Sequence, residues 1–307
     1  MGLLGSGPVA DAQTAGGRGR GQSRRPLLSY SYYGMKKIPI QEALGHIAKI
    51  GFKGLEITLI PSWETEPKLM DKATRAAIRK QIGGLGLTLA TVQESMQLAE
   101  PNAMTKLGYN INYSAAENLE RLRQAVEVAH DLSPGAPAVV ETQVGGRPAD
   151  WEMSKRAMAD RLGEWAKALE PLKTVLAIKG FVGTGMETPE KMLWMLEQVK
   201  SPWIRLGYDF SHLKVYGFDL RTTIRQLGPH AVFAHVKDSV GTPEKFRFML
   251  PGDSGEVDYK VYAQTFAEVG FAGPVIVEVS AHVSEQPGYD AVAAAKKSFD
   301  NLSPFFP

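Results

Sequence analysis

The stretch that decides the fold is residues 174–181, "TVLAIKGF". Val175, Leu176, Ala177 and Ile178 form an unbroken apolar run. It has no polar alternation, so neither face is built to meet water. That is the mark of a parallel strand covered on both sides. A parallel strand reaches its neighbour only through a crossover connection, usually a helix. The chain on either side should therefore repeat a strand–helix unit. The run also ends oddly, because Lys179 stands at its tip before Gly180 breaks it.

The repeat is present. Further strand candidates lie at 27–33, 54–60, 87–93, 137–143, 203–209, 231–238 and 274–280, each followed by a helical pattern. "IQEALGHIAKIG" stops on Gly51, and Thr188 with Pro189 supplies an N-cap and a first helical residue. Leu119, Leu122, Val126 and Ala129 form an amphipathic stripe. Roughly eight such units predict an α/β protein, a single-domain (β/α)8 TIM barrel over residues 27–307. A doubly wound sheet would carry a glycine-rich phosphate turn after its first strand. "YYGMKKIP" at 32–39 is no such turn, and the glycines near residue 5 follow no strand.

Composition narrows the function classes. The chain has 307 residues, 44% of them hydrophobic, and a net charge of +2. Near-balanced charge argues against a dedicated nucleic-acid binder, and no apolar run is long enough to span a bilayer. With no cysteine, any metal must be held by His, Asp or Glu. Residues 1–26 are rich in Gly, Ala, Arg and Pro without hydrophobic period. They read as a disordered tail or as a signal-peptide remnant, with Ala10, Asp11 and Ala12 resembling a cleavage site. The two readings place the protein in the cytoplasm or outside it, in a periplasm.

In a barrel of this kind the active site lies at the C-terminal ends of the strands. Strand six ends in Asp209 and is followed by His212. Strand seven carries His235, Lys237 and Asp238, and strand eight carries Glu278. Singly, each has an ordinary structural role as a turn cap, a core histidine or an ion-pair partner. Three consecutive strands ending this way point to a site, and carboxylate plus imidazole suits Mn, Mg, Co, Fe or Zn.

"GFKGLEI", "DFSHL", "HVKD", "GDSGEVDY" and "VIVEVS", in this order and spacing, resemble the xylose isomerase-like TIM-barrel family of sugar isomerases and epimerases. The resemblance runs over residues 27–303. It implies a divalent metal (Mn, Mg, Co or Zn) held by Asp209, His235 and Glu278, with His212 near the substrate oxygens. It also implies Lys237 and Asp238 as a supporting pair beside His235, and Gly255, Glu256 and Asp258 as the loop before the seventh helix. Family barrels often pair, which implies a homo-oligomer, although no interface is legible here.

The fifth strand departs from the family. Where the pattern resembles "LAIENH", this chain has "LAIKGF", so Lys179 stands at the place of a metal-binding, acid/base glutamate. A fixed ammonium among the ligands repels a divalent cation, and a two-glutamate proton relay is left with Glu278 alone. Lys179 has three competing roles: a charge that replaces the metal, a base or Schiff-base amine, or an ion pair with Asp209 or Glu278. A three-ligand metal beside a swung-out lysine also fits the sequence.

Glu56, Glu94 and Glu141 sit near the ends of strands two to four. Glu56 reads as a solvated charge facing the helices, while Glu141 reads equally as a ligand for sugar hydroxyls. Trp63 and Phe181 are candidates to stack on a sugar face. Segments 94–110 and 239–256 read as lids, with Lys106, Lys245 and Arg247 available to an anionic group.

The reading is a carbohydrate enzyme that abstracts a proton next to a carbonyl, with Glu278, Lys179 and His212 as catalytic candidates. His212, Glu141, Trp63 and Lys237 are candidates for substrate binding. The alternatives are a keto-sugar lyase acting by β-elimination and a non-catalytic carbohydrate-binding barrel. A nuclease relative would need extra histidines on strands two and three and after strand seven. "ITLIPSW", "TVQESM" and "PGDSGEVD" supply none.

Overall fold

The computed structural model describes residues 26–96, 114–135, 139–143 and 145–307. All of the expected N-terminal tail but Pro26 falls outside them, as does most of the lid expected at 94–110, with Lys106.

Eight parallel strands close into a barrel. They are β1 (Leu28–Ser31), β2 (Gly54–Thr58), β3 (Thr88–Gln93), β4 (Val139–Gln143), β5 (Leu176–Lys179), β6 (Ile204–Asp209), β7 (Ala231–Val236) and β10 (Val275–Val277). Each strand pairs with its sequence neighbour in the barrel, and β10 closes the ring against β1. The TIM-barrel reading holds, and each expected strand is found, two to four residues shorter in most cases. Strand eight is the shortest, and Glu278 lies just past its end.

The outer ring comprises α1 (Ile40–Ile50), α2 (Lys72–Gly84), α3 (Ala115–Leu132), α4 (Trp151–Leu169), α5 (Pro189–Val199), α7 (Leu220–Leu227), α8 (Tyr259–Glu268) and α10 (Ala291–Leu302). Two short helices, α6 (Phe210–Lys214) and α9 (Ala281–Ser284), begin where strands deliver residues to the mouth. Gly51 ends α1 at φ 122°, a left-handed value that a side chain rarely adopts. Thr188 caps α5 by accepting a hydrogen bond from the Lys191 amide, and Ser114 and Glu117 form a reciprocal capping box on α3.

Strand alternation sorts the side chains. Leu55 and Ile57 of β2 join the core shared with the helices, while Glu56 between them points into the barrel. Inside, Ala177, Phe233 and Ile276 form an apolar floor. Gly207 makes room for Phe233, since a Cβ there would meet the ring at 2.4 Å. One step further along the same strands, Lys179, His235, Asp209 and Glu278 form the polar layer above.

The lid expected at 239–256 is partly regular. Residues Asp238–Thr242 (β8) and Lys245–Met249 (β9) form an antiparallel hairpin. The apolar alternation of Phe246 and Phe248 explains it, as Phe248 is buried against Val182 and Val215.

Candidate active site

Register brings the strand ends to one height. Lys179 lies opposite Gln143 and Gly207, and His235 lies opposite Asp209. Lys179 is fully buried. Its Nζ is 2.7 Å from His235 Nδ1, 3.1 Å from Glu278 Oε1, 3.1 Å from Glu141 Oε1 and 3.7 Å from Asp209 Oδ2. Lys237 lies toward the mouth. Its ammonium donates to Asp209 Oδ2 at 2.5 Å and to Glu278 Oε2.

His235 is engaged at both ring nitrogens. The Lys179 ammonium donates to Nδ1, which leaves the proton on Nε2, 3.0 Å from Glu56 Oε2. Glu56 also accepts from the Thr91 hydroxyl at 2.6 Å. The expectation of a solvated Glu56 facing the helices is therefore corrected. The period-two geometry of β2 puts its carboxylate inside, at 0% exposure. Glu94 is buried as well, held at 2.7 and 2.8 Å by Arg121 of α3, and serves as an anchor between strand and helix.

The charges set one another. Burial alone would lower the Lys179 ammonium, but Glu141, Glu278 and Asp209 outweigh it and hold it above the usual lysine range. Burial alone would raise Glu278, but the Lys179 and Lys237 ammonium groups keep it well below the usual carboxylate range. Asp209 is likewise held low, against its burial, chiefly by Lys237. Glu141 differs, as its burial prevails over the Lys179 ammonium beside it and pushes it up to about 7. His212 is pushed down to about 4 by burial, against the pull of Asp209 3.3 Å away.

Above this layer a cleft of about 630 Å³ opens to solvent. Glu278, Lys237, Gln93 and Gln143 form its polar side; Tyr33, Ile60, Phe181 and Phe248 form its apolar walls. Gln93 donates to Glu278 Oε1 at 3.0 Å and accepts from Thr58. Of the residues expected from sequence, Glu278, Lys237 and Phe181 line the cleft. Lys179, Asp209, His235 and Glu141 lie in the layer beneath. His212 is covered by Phe181, with ring centroids 4.0 Å apart. Trp63 packs on the Tyr33 ring, one residue back from the cleft wall.

Asp238 is engaged by partners of its own. It accepts from the Ser254 amide and hydroxyl and from the Tyr259 hydroxyl, and so ties down the loop before α8. In that loop Asp258 caps α8 and Glu256 pairs with Lys214. Gln93, Gln143, Thr91 and Phe248 were missed in the sequence. The first three follow from the period-two polar positions Glu56/Thr58, Thr91/Gln93 and Glu141/Gln143, which place three strand ends facing inward. Phe248 is delivered by the hairpin, and its one sequence signal is the short alternation with Phe246.

Residues 44–303 match the family described as xylose isomerase-like TIM barrel. The chain belongs to that family. Among curated relatives it is similar to the L-ribulose-5-phosphate 3-epimerase UlaE of Shigella sonnei, at 26% identity over 188 residues. That alignment covers 61% of this chain and 65% of the relative, just under two thirds of its length. The UlaE of Escherichia coli strain SMS-3-5 aligns over 257 residues at 24% identity, covering 82% of this chain and 86% of that one. Two solved structures share the fold. The 3-keto-D-glucoside 4-epimerase YcjR of E. coli has a TM-score of 0.68 at 14% identity, covering 91% of this chain and 100% of its own. The IOLI protein with a bound zinc atom has a TM-score of 0.70 at 17% identity, covering 91% and 99%.

The zinc atom in that similarly folded protein poses the question of fit. Asp209, His235 and Glu278 do converge, with ligand atoms within 4.8 Å of one another, and so do Glu56, Glu141 and His235. The donor set nonetheless does not fit the family's metal cage. An imidazole nitrogen has one lone pair, and that of Nδ1 already accepts from an ammonium. The Glu278 and Asp209 carboxylates each lie against two ammonium groups.

Proposed function

We propose that the protein is a carbohydrate isomerase or epimerase that moves a proton at the carbon next to a carbonyl. The observation that carries this reading is the Glu278–Lys237 pair, a carboxylate and an ammonium bonded to each other on the wall of one cleft. The relatives' names agree in chemistry. Carbon 3 of a ribulose and carbon 4 of a 3-keto-glucoside each adjoin a carbonyl, so both epimerisations can begin with loss of that proton.

Glu278 is the base, ionised because its neighbours hold its proton affinity low. Lys237 donates a hydrogen bond to the carbonyl oxygen as that oxygen becomes an enolate; Glu278 then returns the proton to the neighbouring carbon in isomerisation, whereas in epimerisation a water in the open cleft protonates the opposite face. When the ammonium turns from Glu278 to the substrate, Glu278 loses one of its two ion pairs and becomes a stronger base. Tyr33, Phe181 and Phe248 offer flat apolar faces to the C–H side of a sugar, and Gln93 and Gln143 offer amide groups to its hydroxyls. His212 and Asp209 act by positioning Lys237. Lys179 acts by holding Glu278 and His235 in place, and its raised proton affinity disfavours the base and Schiff-base roles.

One observation favours a second reading, β-elimination from a keto-sugar. Among the described residues lining the cleft, Glu278 is the one carboxylate, and elimination needs a single base. The test is incubation of the protein with 3-keto-glucosides and 2-ketoses in D2O, followed by NMR. Deuterium entering the carbon next to the carbonyl, with inversion or isomerisation, is the expected result. A double bond in the product would replace this reading with the lyase. Binding of the sugars with no exchange at any carbon would replace it with a non-catalytic carbohydrate-binding barrel.

A further inference from the structure

Lys179 stands at the tip of the fifth strand, where the resemblance noted in the sequence implies a glutamate. The lysine does not simply remove a ligand. Its Nζ reaches the centre of the ring that the remaining ligands form, at 2.7 Å from His235, 3.1 Å from both Glu141 and Glu278, and 3.7 Å from Asp209. These partners come from four other strand ends, so the ammonium ties together half of the barrel mouth. The side chain has 0% exposure and does not line the cleft, so it is sealed under the substrate space.

Lys237 supports the same conclusion independently. It comes from a different strand, yet its ammonium falls on Asp209 Oδ2 and Glu278 Oε2, the two carboxylates that Lys179 also neutralises. Buried carboxylates persist only when paired with positive charge. Here both are paired, twice over, by charges the chain itself carries. A divalent ion would have to displace an ammonium from the one lone pair of His235 Nδ1 and then sit within a few ångströms of it.

We infer that Lys179 is the resident cation of this barrel: its ammonium takes the place that a divalent metal would occupy among Asp209, His235 and Glu278, and the site holds no metal. This rests on the side-chain geometry and holds whichever carbohydrate reaction the cleft performs. Lys179 is a positioning residue in this arrangement, because it touches the groups beneath the substrate and not the substrate itself.

The experiment uses the full chain, stripped with chelator and dialysed against Mn2+ or Zn2+, with bound metal measured by mass spectrometry and unfolding followed by heating. The wild type should retain only traces of metal, with no shift in unfolding temperature. Lys179→Glu should retain stoichiometric metal, with affinity at least about a hundredfold above wild type, and its unfolding temperature should rise with Mn2+. Lys179→Met removes the charge while keeping the stem, and should unfold at a lower temperature than wild type. Stoichiometric metal in the wild type that disappears in Asp209→Asn would overturn the inference. So would a Lys179→Met protein as heat-stable as wild type. If Lys179→Glu does not fold, wild-type uptake and Lys179→Met decide the matter without it.

Discussion

At the residue scale, the site depends on which carboxylate can give up its partner. Glu278 shares Lys237 with Asp209, whereas Lys179 is locked among Glu141, His235 and Glu278. Replacing Glu278 by Gln removes the proposed base and should lower deuterium exchange by about 10²–10⁴-fold. Lys237→Met removes the charge proposed to meet the developing enolate and should cost about 10²–10³-fold in kcat/KM. A comparable loss in both variants, read by D2O exchange, would mark them as one unit. His212 makes a different prediction. Its folded value of about 4 lies below its ordinary 6.5. Between those limits the unfolded chain binds a proton that the folded chain refuses. The contribution of His212 to stability is therefore complete above about pH 6.5 and declines as the pH falls toward 4, by about 3 kcal/mol at most. Glu141, pushed up to about 7, works in the opposite direction over part of the same range, so the wild-type curve alone does not isolate His212. The stability gap between wild type and His212→Gln, measured by denaturant unfolding at pH 7 and pH 4.5, should narrow at the lower pH.

At the scale of elements, the exit of the fifth strand is closely packed. Gly180 follows Lys179 directly, and a Cβ there would meet Met192 Cε at 1.9 Å and the Met186 carbonyl oxygen at 2.5 Å. The backbone lies against α5 and the loop before it, leaving no space for a side chain at that position. Gly180→Ala should therefore destabilise the protein by about 1–3 kcal/mol, the usual cost of overpacking, as read from denaturant midpoints. By comparison, Thr188→Ala removes one cap from α5 at a residue that does not line the cleft, and should cost about 1 kcal/mol with exchange activity unchanged. The hairpin of β8 and β9 is the element that shapes the cleft. It sets Phe248 on His212, with centroids 4.7 Å apart, and above Lys237 at 5.1 Å. It acts as a wall of the site, and the expectation of a lid there did not include the hairpin, because five-residue strands give only a weak periodic signal.

At the scale of the whole molecule, closure of the barrel converts eight separated strand ends into one charged layer over an apolar floor. Among the described residues no helix is long and apolar enough to cross a membrane. Ligand linkage offers a test at this scale. A keto-sugar held at about 100 times its Kd should stabilise the fold by about 2.7 kcal/mol and raise the unfolding temperature by several degrees, whether the barrel is an enzyme or a binder. The sequence alone determined the architecture, since buried parallel strands, helix caps at Thr188 and Gly51, and the strand–helix rhythm are local signals that the fold obeys. It also identified Asp209, His235, Glu278 and Lys179 as one group, because barrel topology sends every strand end to the same rim. Only the tertiary structure decided the alliances within that group: that Glu56 turns inward, that Asp238 holds the loop before α8, and that Glu278 and Lys237 face the cleft while Lys179 stays beneath it. Those outcomes depend on register, on rotamers and on competition among several charges for the same few ångströms. None of these quantities is encoded by any one stretch of the chain.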